Sequence, residues 1–247
     1  MWLASAHHQC PIAGDVRPPS ARRSRETPPR AITTSAWVGL DLHALSAGAD
    51  LIPTSPNAFL ARPVTWLEMI TRYGATWAVA PDFGYLWCAR RISDQQLERI
   101  DLFSLTMAVT GAERIKPSTL DSFTRRFAPY GFSPQAWEPS YGMAEATLMI
   151  ISTRNGVGVT VARFDAAALE RHRARPDPDG TALVASGHTV DLRLRISDPQ
   201  TLEPLPDRHI GEIWASGQSI GDGYHEQPDA TAATVHVVGV APASSGR

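Results

Sequence analysis

The chain has 247 residues, of which 43% are hydrophobic and 19% are charged. This composition is typical of a globular protein that buries a sizeable core, and it excludes a collagen, a coiled coil and wholesale disorder. Lys and Arg total 23 against 25 Asp and Glu, for a net charge of -2, so bulk basicity does not indicate nucleic acid as a partner.

The first 35 residues form a segment rich in proline and arginine. Residues 15–30 read DVRPPSARRSRETPPR and contain almost nothing apolar. Proline fixes φ and removes a backbone donor, so this stretch cannot bury enough surface to offset its ordering entropy. We predict a disordered leader over residues 1–35, with a basic arm for an acidic partner as the alternative.

Helical and strand patterns alternate over residues 36–155. Short apolar strands that alternate with helices predict an α/β fold, in which helices cover a parallel sheet. The predicted elements are a helix from Pro63 to Gly74, a strand over 75–80, helices over Phe83–Ile92 and Pro117–Phe127, and strands over Leu105–Val109, Gln135–Pro139 and Leu148–Ile151.

The pattern changes to strands and turns over residues 156–235. Strand-like segments cover 156–164, 181–186, 189–197 and 211–216. In the third, Val190, Leu192, Leu194 and Ile196 alternate with polar residues, which predicts one continuous strand. We therefore predict a β-rich subdomain, an antiparallel sheet or small barrel, followed by an unstructured tail over 236–247.

Two predicted strands end in polar loops that contain glycine. Ligands of α/β proteins bind at the carboxyl ends of the strands, and glycine permits close backbone approach. Gly111 lies in the first loop, and the second adds an aromatic face at Tyr141 and a carboxylate at Glu145 that can hold Mg²⁺. The local alternatives are a turn at Gly111, half-buried packing at Tyr141 and a helix-terminal charge at Glu145.

The segment PSYGMAEAT, residues 139–147, resembles the signature of adenylate-forming enzymes and closely that of fatty acyl-AMP ligases. Residues 57–92, 101–132 and 211–234 are similar to three further segments of that family, in the same order. The resemblance implies the AMP-binding large domain, with ATP and Mg²⁺ as cofactors and a long-chain fatty acid as substrate. It implies a carrier protein or a polyketide synthase carrier domain as acceptor, and residues 151–183 resemble the insertion that disfavours coenzyme A.

The resemblance also implies roles for individual residues. Glu145 matches the glutamate associated with Mg²⁺, and Phe83, Tyr85, Leu86 and Met143 are candidates for lining the acyl tunnel. The residues implied in nucleotide binding are Gly111, Ala112, Glu113, Tyr141, Gly142, Met143 and Thr147.

Some parts of the family pattern do not occur in this sequence. We find no Gly-rich phosphate loop before residue 36 and no late lysine domain, and the single lysine, Lys116, lies beside Pro117 in the adenine-loop segment. We therefore expect a truncated central portion of the large domain, weakly active or inactive alone. A fatty acid–CoA ligase and a non-catalytic remnant are the alternatives.

A hydrolase is the competing enzyme class, because Gly217–Gly221 reads GQSIG and matches the GxSxG pattern of a nucleophile elbow. That motif requires a helix directly after the serine. Asp222, Gly223 and Pro228 follow Ser219 instead, which disfavours a hydrolase.

The two cysteines, Cys10 and Cys88, are far apart and form no metal-binding pair. A chain without a disulfide framework is typical of a reducing compartment, so we expect a cytoplasmic protein. No apolar run approaches the roughly 20 residues that a membrane span requires.

Overall fold

A computed structural model describes residues 2–6 and 37–235 of the chain. Its strands are β1 (Trp2–Ala6), β2 (Asp50–Thr54), β3 (Trp77–Ala80), β4 (Met107–Thr110), β5 (Trp137–Gly142), β6 (Met149–Ser152), β7 (Val161–Phe164), β8 (Thr181–Val184), β9 (His188–Thr189), β10 (Arg193–Ser197) and β11 (Glu212–Ser216). Seven of them form one sheet in the order β2-β1-β3-β4-β5-β6-β9.

The centre of this sheet is parallel and its flanks are antiparallel. β4 pairs in parallel with β3 and with β5, whereas β1 pairs antiparallel with β2 and β3. β6 pairs antiparallel with β5 and β9. The connection between β5 and β6 is too short for a parallel crossover. The predicted helix-covered α/β sheet is thus confirmed as a mixed sheet, parallel only at its centre.

Seven α-helices accompany the strands in the described ranges. They are α1 (His43–Ala47), α2 (Pro56–Ala61), α3 (Val64–Tyr73), α4 (Asp82–Arg91), α5 (Pro117–Phe127), α6 (Ala166–Glu170) and α7 (Pro228–Thr234), and a π-helical turn over Trp37–Leu42 precedes α1. α3 ends at Gly74, whose φ of +59° suits glycine. None of the helices in these ranges is long and apolar enough to cross a membrane.

The main core lies between the sheet and helices α3, α4 and α5. Tyr85 is at its centre, fully buried, with its ring 4.6 Å from that of Trp137 and 5.1 Å from that of Phe123. The Tyr85 hydroxyl donates to the Val109 carbonyl at 3.0 Å, and burial raises the pKa of Tyr85 well above its usual value. Tyr85, which was a candidate for lining the acyl tunnel, therefore packs in the main core.

The β-rich half forms two separate antiparallel ribbons, β7 with β8 and β10 with β11. The predicted continuous strand over 189–197 is wrong. Asp191 has a φ of +54° and separates β9, which joins the main sheet, from β10. Leu192 is buried, whereas Val190 and Ile196 are exposed, so the four alternating residues do not share one face.

The predicted leader over 1–35 is corrected at its start. Residues 2–6 form β1, which pairs with both β2 and β3 inside the main sheet. Residues 7–35 of the predicted leader and the predicted tail over 236–247 lie outside the described residues.

Candidate functional site

The loops after β4 and β5 meet at the carboxyl edge of the parallel strands. Gly111 packs against Ser140, so closely that a Cβ on Gly111 would lie 2.7 Å from the Ser140 carbonyl oxygen and 3.0 Å from its Oγ. The Ser140 hydroxyl donates to the Thr110 carbonyl at 3.4 Å. This position requires glycine, and the two loops predicted to bind a ligand are adjacent.

Two carboxylates anchor the segment from Gly111 to α5. The buried Asp82 accepts hydrogen bonds from the Lys116 N–H at 2.8 Å and from the Thr119 hydroxyl at 2.9 Å, at the start of α5. Glu113 in turn accepts from the Phe83 N–H at 2.8 Å, in the first turn of α4. Asp82, which follows β3, thus caps α5, and Glu113, which follows β4, caps α4. A negative charge is favourable at both helix starts.

Ala112 lies directly before Glu113 and is exposed, with a φ of +63°. A left-handed conformation is uncommon for a residue with a Cβ, and such residues are frequent at ligand-binding loops. The exposed backbone of Ala112 is therefore part of the candidate site, whereas the carboxylate of Glu113 is engaged by α4.

The connection from β5 to β6 is packed against a second, smaller core. Tyr141 and Met143 are half-buried and contact the cluster of Ala146, Ile150 and Leu192. A Cβ on Gly142 would lie 1.7 Å from the Leu148 carbonyl oxygen, at a register shift between β5 and β6. The fold of this connection alone thus requires glycine at 142, and packing accounts for the position of Met143.

Glu145 lies within that connection, in a 3₁₀ turn over Ala144–Ala146. Its carboxylate accepts a short hydrogen bond from the Tyr224 hydroxyl, which lowers the pKa of Glu145 and raises that of Tyr224. Its backbone carbonyl accepts from the Gly221 N–H at 2.8 Å. The loop after β11 therefore docks on the predicted metal-binding residue.

Thr147 has an unusual backbone conformation, with a φ of +67° and a ψ of -55°. The Leu148 N–H donates to the Ala146 carbonyl at 2.8 Å, which closes a γ-turn of the rare, strained positive-φ form. The Thr147 hydroxyl donates to the Ser219 carbonyl at 2.7 Å. The same loop that contacts Glu145 thus also holds this turn.

The surroundings of Ser219 differ from those of a nucleophile elbow. A turn follows Ser219, and the next helix, α7, begins only at Pro228. Because the elbow places its serine directly before a helix, the GQSIG segment does not have hydrolase geometry.

The AMP-binding enzyme family matches residues 34–225, which is most of the chain. The chain belongs to this family. The match includes the loops at Gly111 and Tyr141, Glu145 itself and Tyr224. It ends shortly before α7.

Similar proteins include fatty acid ligases of mycobacteria. FadD26 of Mycobacterium marinum, a long-chain-fatty-acid–AMP ligase, is 36% identical over 203 residues, which are 81% of this chain and 35% of that protein. FadD21 of Mycobacterium tuberculosis, named as a fatty-acid–CoA ligase, is 38% identical over 77% of this chain and 33% of that protein. The chain thus spans about a third of the length of these relatives.

Solved structures show the same family fold. A fatty acid AMP ligase from Legionella pneumophila is 33% identical, with a TM-score of 0.78 over 81% of this chain and 35% of that one. A fatty acyl-adenylate ligase from L. pneumophila, in complex with acyl adenylate and pyrophosphate, is 35% identical, with a TM-score of 0.70 over 72% of this chain and 32% of that one.

Two residues of this candidate site were not singled out from the sequence. Tyr224 lies in the segment 211–234 that carries the family resemblance, but the sequence does not show that its hydroxyl bonds Glu145. Asp82 follows the predicted strand over 75–80 within two residues, at the edge where ligands bind. A polar residue at that position is the signal that identifies it.

The candidates for the acyl tunnel do not share one cavity in the described residues. Phe83 and Leu86 line a groove along α4, together with Trp87, Arg90 and Arg91. Tyr85 is in the main core and Met143 contacts the smaller one.

Proposed function

We propose that this protein acts in the ATP-dependent activation of a fatty acid to an acyl-adenylate. The observation that carries the proposal is the site around Glu145, where the YGMAEAT segment meets the loop that contains Tyr224. Both segments lie within the stretch that matches the family. The L. pneumophila relative described with acyl adenylate and pyrophosphate supports the same reaction class.

In this proposal, the nucleotide contacts the loop at Gly111, Ala112 and Glu113 and the face of Tyr141, with Gly142 and Thr147 in the adjoining turn. Glu145 supplies one hard oxygen ligand to Mg²⁺. No group of three or more His, Cys, Asp or Glu suited to a metal occurs in the described residues. Mg²⁺ typically takes one or two carboxylates and completes its shell with water and substrate phosphates.

The residues of the site have separate tasks in that reaction. Asp82 and Glu113 hold the ends of the nucleotide loop in place through the helix starts. The Tyr224 hydroxyl donates a hydrogen bond to the carboxylate of Glu145. When bound, Mg²⁺ neutralises negative charge on the phosphoryl oxygens, which is the main requirement of phosphoryl-type chemistry.

The relatives carry two kinds of name, since FadD26 is named as an AMP ligase and FadD21 as a CoA ligase. We propose a carrier protein or a polyketide synthase carrier domain as the acceptor, which the motif resemblance implies, and coenzyme A is the second candidate. We also propose that residues 36–155 and 156–235 are the α/β and β-rich parts of one AMP-binding unit. The hydrogen bond from Tyr224 to Glu145 joins the two parts and supports their forming one unit.

A direct assay tests the proposal. The purified 247-residue chain is incubated with a long-chain fatty acid, Mg²⁺ and ATP labelled at the α-phosphate, and acyl-AMP is resolved by thin-layer chromatography. We expect a low but measurable yield of acyl-AMP from the wild type, a loss of at least tenfold in Glu145→Gln, and no change in Glu170→Gln, which alters an exposed glutamate on α6. No acyl-AMP above the level of Glu145→Gln contradicts the proposal and favours a non-catalytic remnant.

A further inference from the structure

Three hydrogen bonds join the turn at Glu145 to the loop that follows β11. Tyr224 contacts the Glu145 carboxylate, the Gly221 N–H contacts the Glu145 carbonyl, and the Thr147 hydroxyl contacts the Ser219 carbonyl. The side-chain bonds span 79 and 72 residues of sequence. Local sequence preference therefore does not produce this arrangement, and the tertiary structure maintains it.

Tyr224 is itself held by α7. Its N–H donates to the Thr231 hydroxyl at 2.9 Å, which ties Tyr224 to the helix. The preceding Gly223, with a φ of +152°, packs so closely that a Cβ there would lie 2.4 Å from a methyl carbon of Thr231. The phenol therefore contacts Glu145 from a fixed position.

Thr147 ends the turn that carries Glu145 and bonds the same loop as Tyr224 does. Its strained γ-turn sets the direction in which the chain leaves the 3₁₀ turn of Glu145, and a conformation of this kind persists only where its surroundings hold it. The bond from its hydroxyl to Ser219 is the contact that does so. Ile220, next to Ser219, packs against the cluster containing Ala146 and strengthens this attachment.

From this geometry we propose that Tyr224 and Thr147 are positioning residues that orient the Glu145 carboxylate for a divalent cation. The assignment rests on the proposed function, since it takes Glu145 as the cation ligand. A carboxylate whose direction is already set by a hydrogen bond loses less freedom when it binds a metal. Removing such an outer partner typically weakens metal binding by about 10- to 100-fold.

The test measures Mn²⁺ binding by the 247-residue chain in saturating AMP, from the electron paramagnetic resonance signal of the free ion. We expect Tyr224→Phe to raise the Mn²⁺ dissociation constant about tenfold or more. Thr147→Val shifts it in the same direction, whereas Thr147→Ser retains the hydroxyl and stays near the wild type. Tyr73→Phe is the matched control, because it removes the hydroxyl of an exposed tyrosine on α3.

A second measurement separates positioning from general damage. The dissociation constant for AMP is determined in EDTA, and the thermal midpoint of each variant is recorded. A positioning role predicts that AMP binding without metal changes less than about twofold in Tyr224→Phe. An equal loss of AMP binding, or Mn²⁺ binding as in the wild type, overturns the assignment.

The result also distinguishes this assignment from the proposed function. If wild type and Glu145→Gln bind Mn²⁺ equally, Glu145 is not a cation ligand and both proposals fail. If they differ while folded Tyr224→Phe equals the wild type, only the positioning assignment fails. Should Tyr224→Phe not fold, equal Mn²⁺ binding by Thr147→Val and Thr147→Ser overturns it.

Discussion

The carboxylate of Asp82 accepts a hydrogen bond from the Thr119 hydroxyl at 2.9 Å, deep in the protein, and thereby ties the start of α4 to the start of α5. A second bond, from the Lys116 N–H, uses the other carboxylate oxygen. The candidate loop at Gly111 leads from β4 to the start of α5. The stability of the fold and the shape of the candidate site therefore depend on the same buried side chain.

Asp82→Ala is expected to lower the free energy of unfolding by about 2–3 kcal/mol, because it removes a helix cap and leaves buried donors without an acceptor. Asp82→Asn retains one acceptor and costs less. Urea denaturation at neutral pH measures both. Asp121→Ala, which removes an exposed ion pair with Arg125 on α5, is the control and changes stability by less than about 1 kcal/mol. Equal effects at positions 82 and 121 contradict this interpretation.

The titration of Glu138 should lower the free energy of unfolding as the pH rises. Burial raises the pKa of this carboxyl, although a hydrogen bond from the Ser152 hydroxyl at 2.7 Å partly offsets the effect. A raised folded-state pKa means that the folded protein holds the proton more tightly than the unfolded chain does. This contribution is therefore complete below the unfolded pKa of about 4.3 and is lost as the pH rises through the folded pKa.

Glu138→Gln removes this titration, so its unfolding free energy should decline less than that of the wild type between pH 4 and pH 7. Urea denaturation across that range provides the measurement. Ser152→Ala should strengthen the decline, because the ionised carboxylate loses its donor. Parallel pH profiles for wild type and Glu138→Gln would show that the group does not titrate differently on folding.

We predict that two glycines of the site differ in how well the fold tolerates their replacement by alanine. At Gly142 a Cβ would lie 1.7 Å from the Leu148 carbonyl oxygen, so the backbone must move, and we expect a loss of about 1–3 kcal/mol or more. At Gly221 the nearest atom, the Glu145 carbonyl oxygen, is 3.7 Å away, an ordinary contact. Chemical denaturation of Gly142→Ala and Gly221→Ala measures both free energies of unfolding. Equal stability of the two variants would contradict this prediction.

Ester hydrolysis is expected to be independent of Ser219. A turn rather than a helix follows this residue, so the hydroxyl lacks the geometry of a nucleophile elbow. The rate with a p-nitrophenyl ester should be the same for wild type and Ser219→Ala. Turnover that disappears only in the variant would restore the hydrolase interpretation.

The regular part of the α/β half was predictable because its causes are local. α3 ends at Gly74, as its sequence indicates, and Leu120, Phe123 and Phe127 of α5 are buried on one face. Apolar spacing and helix-ending residues act within a few positions of the chain. The break at Asp191 was missed because alternation alone does not show where a strand leaves one sheet for another ribbon.

The motifs of the chain were enough to identify the family, which matches residues 34–225. They also supplied Gly111, Tyr141 and Glu145 as candidates for the site. The motifs did not show which groups contact one another, and the packing of the folded chain sets those pairs. Tyr224 and Glu145 are 79 residues apart, and Asp82 and Thr119 are 37 apart, so their pairing depends on how the strands and loops pack. A motif fixes which residue types are present at neighbouring positions. A hydrogen bond between residues far apart in sequence forms only when the strands and loops that carry them pack together.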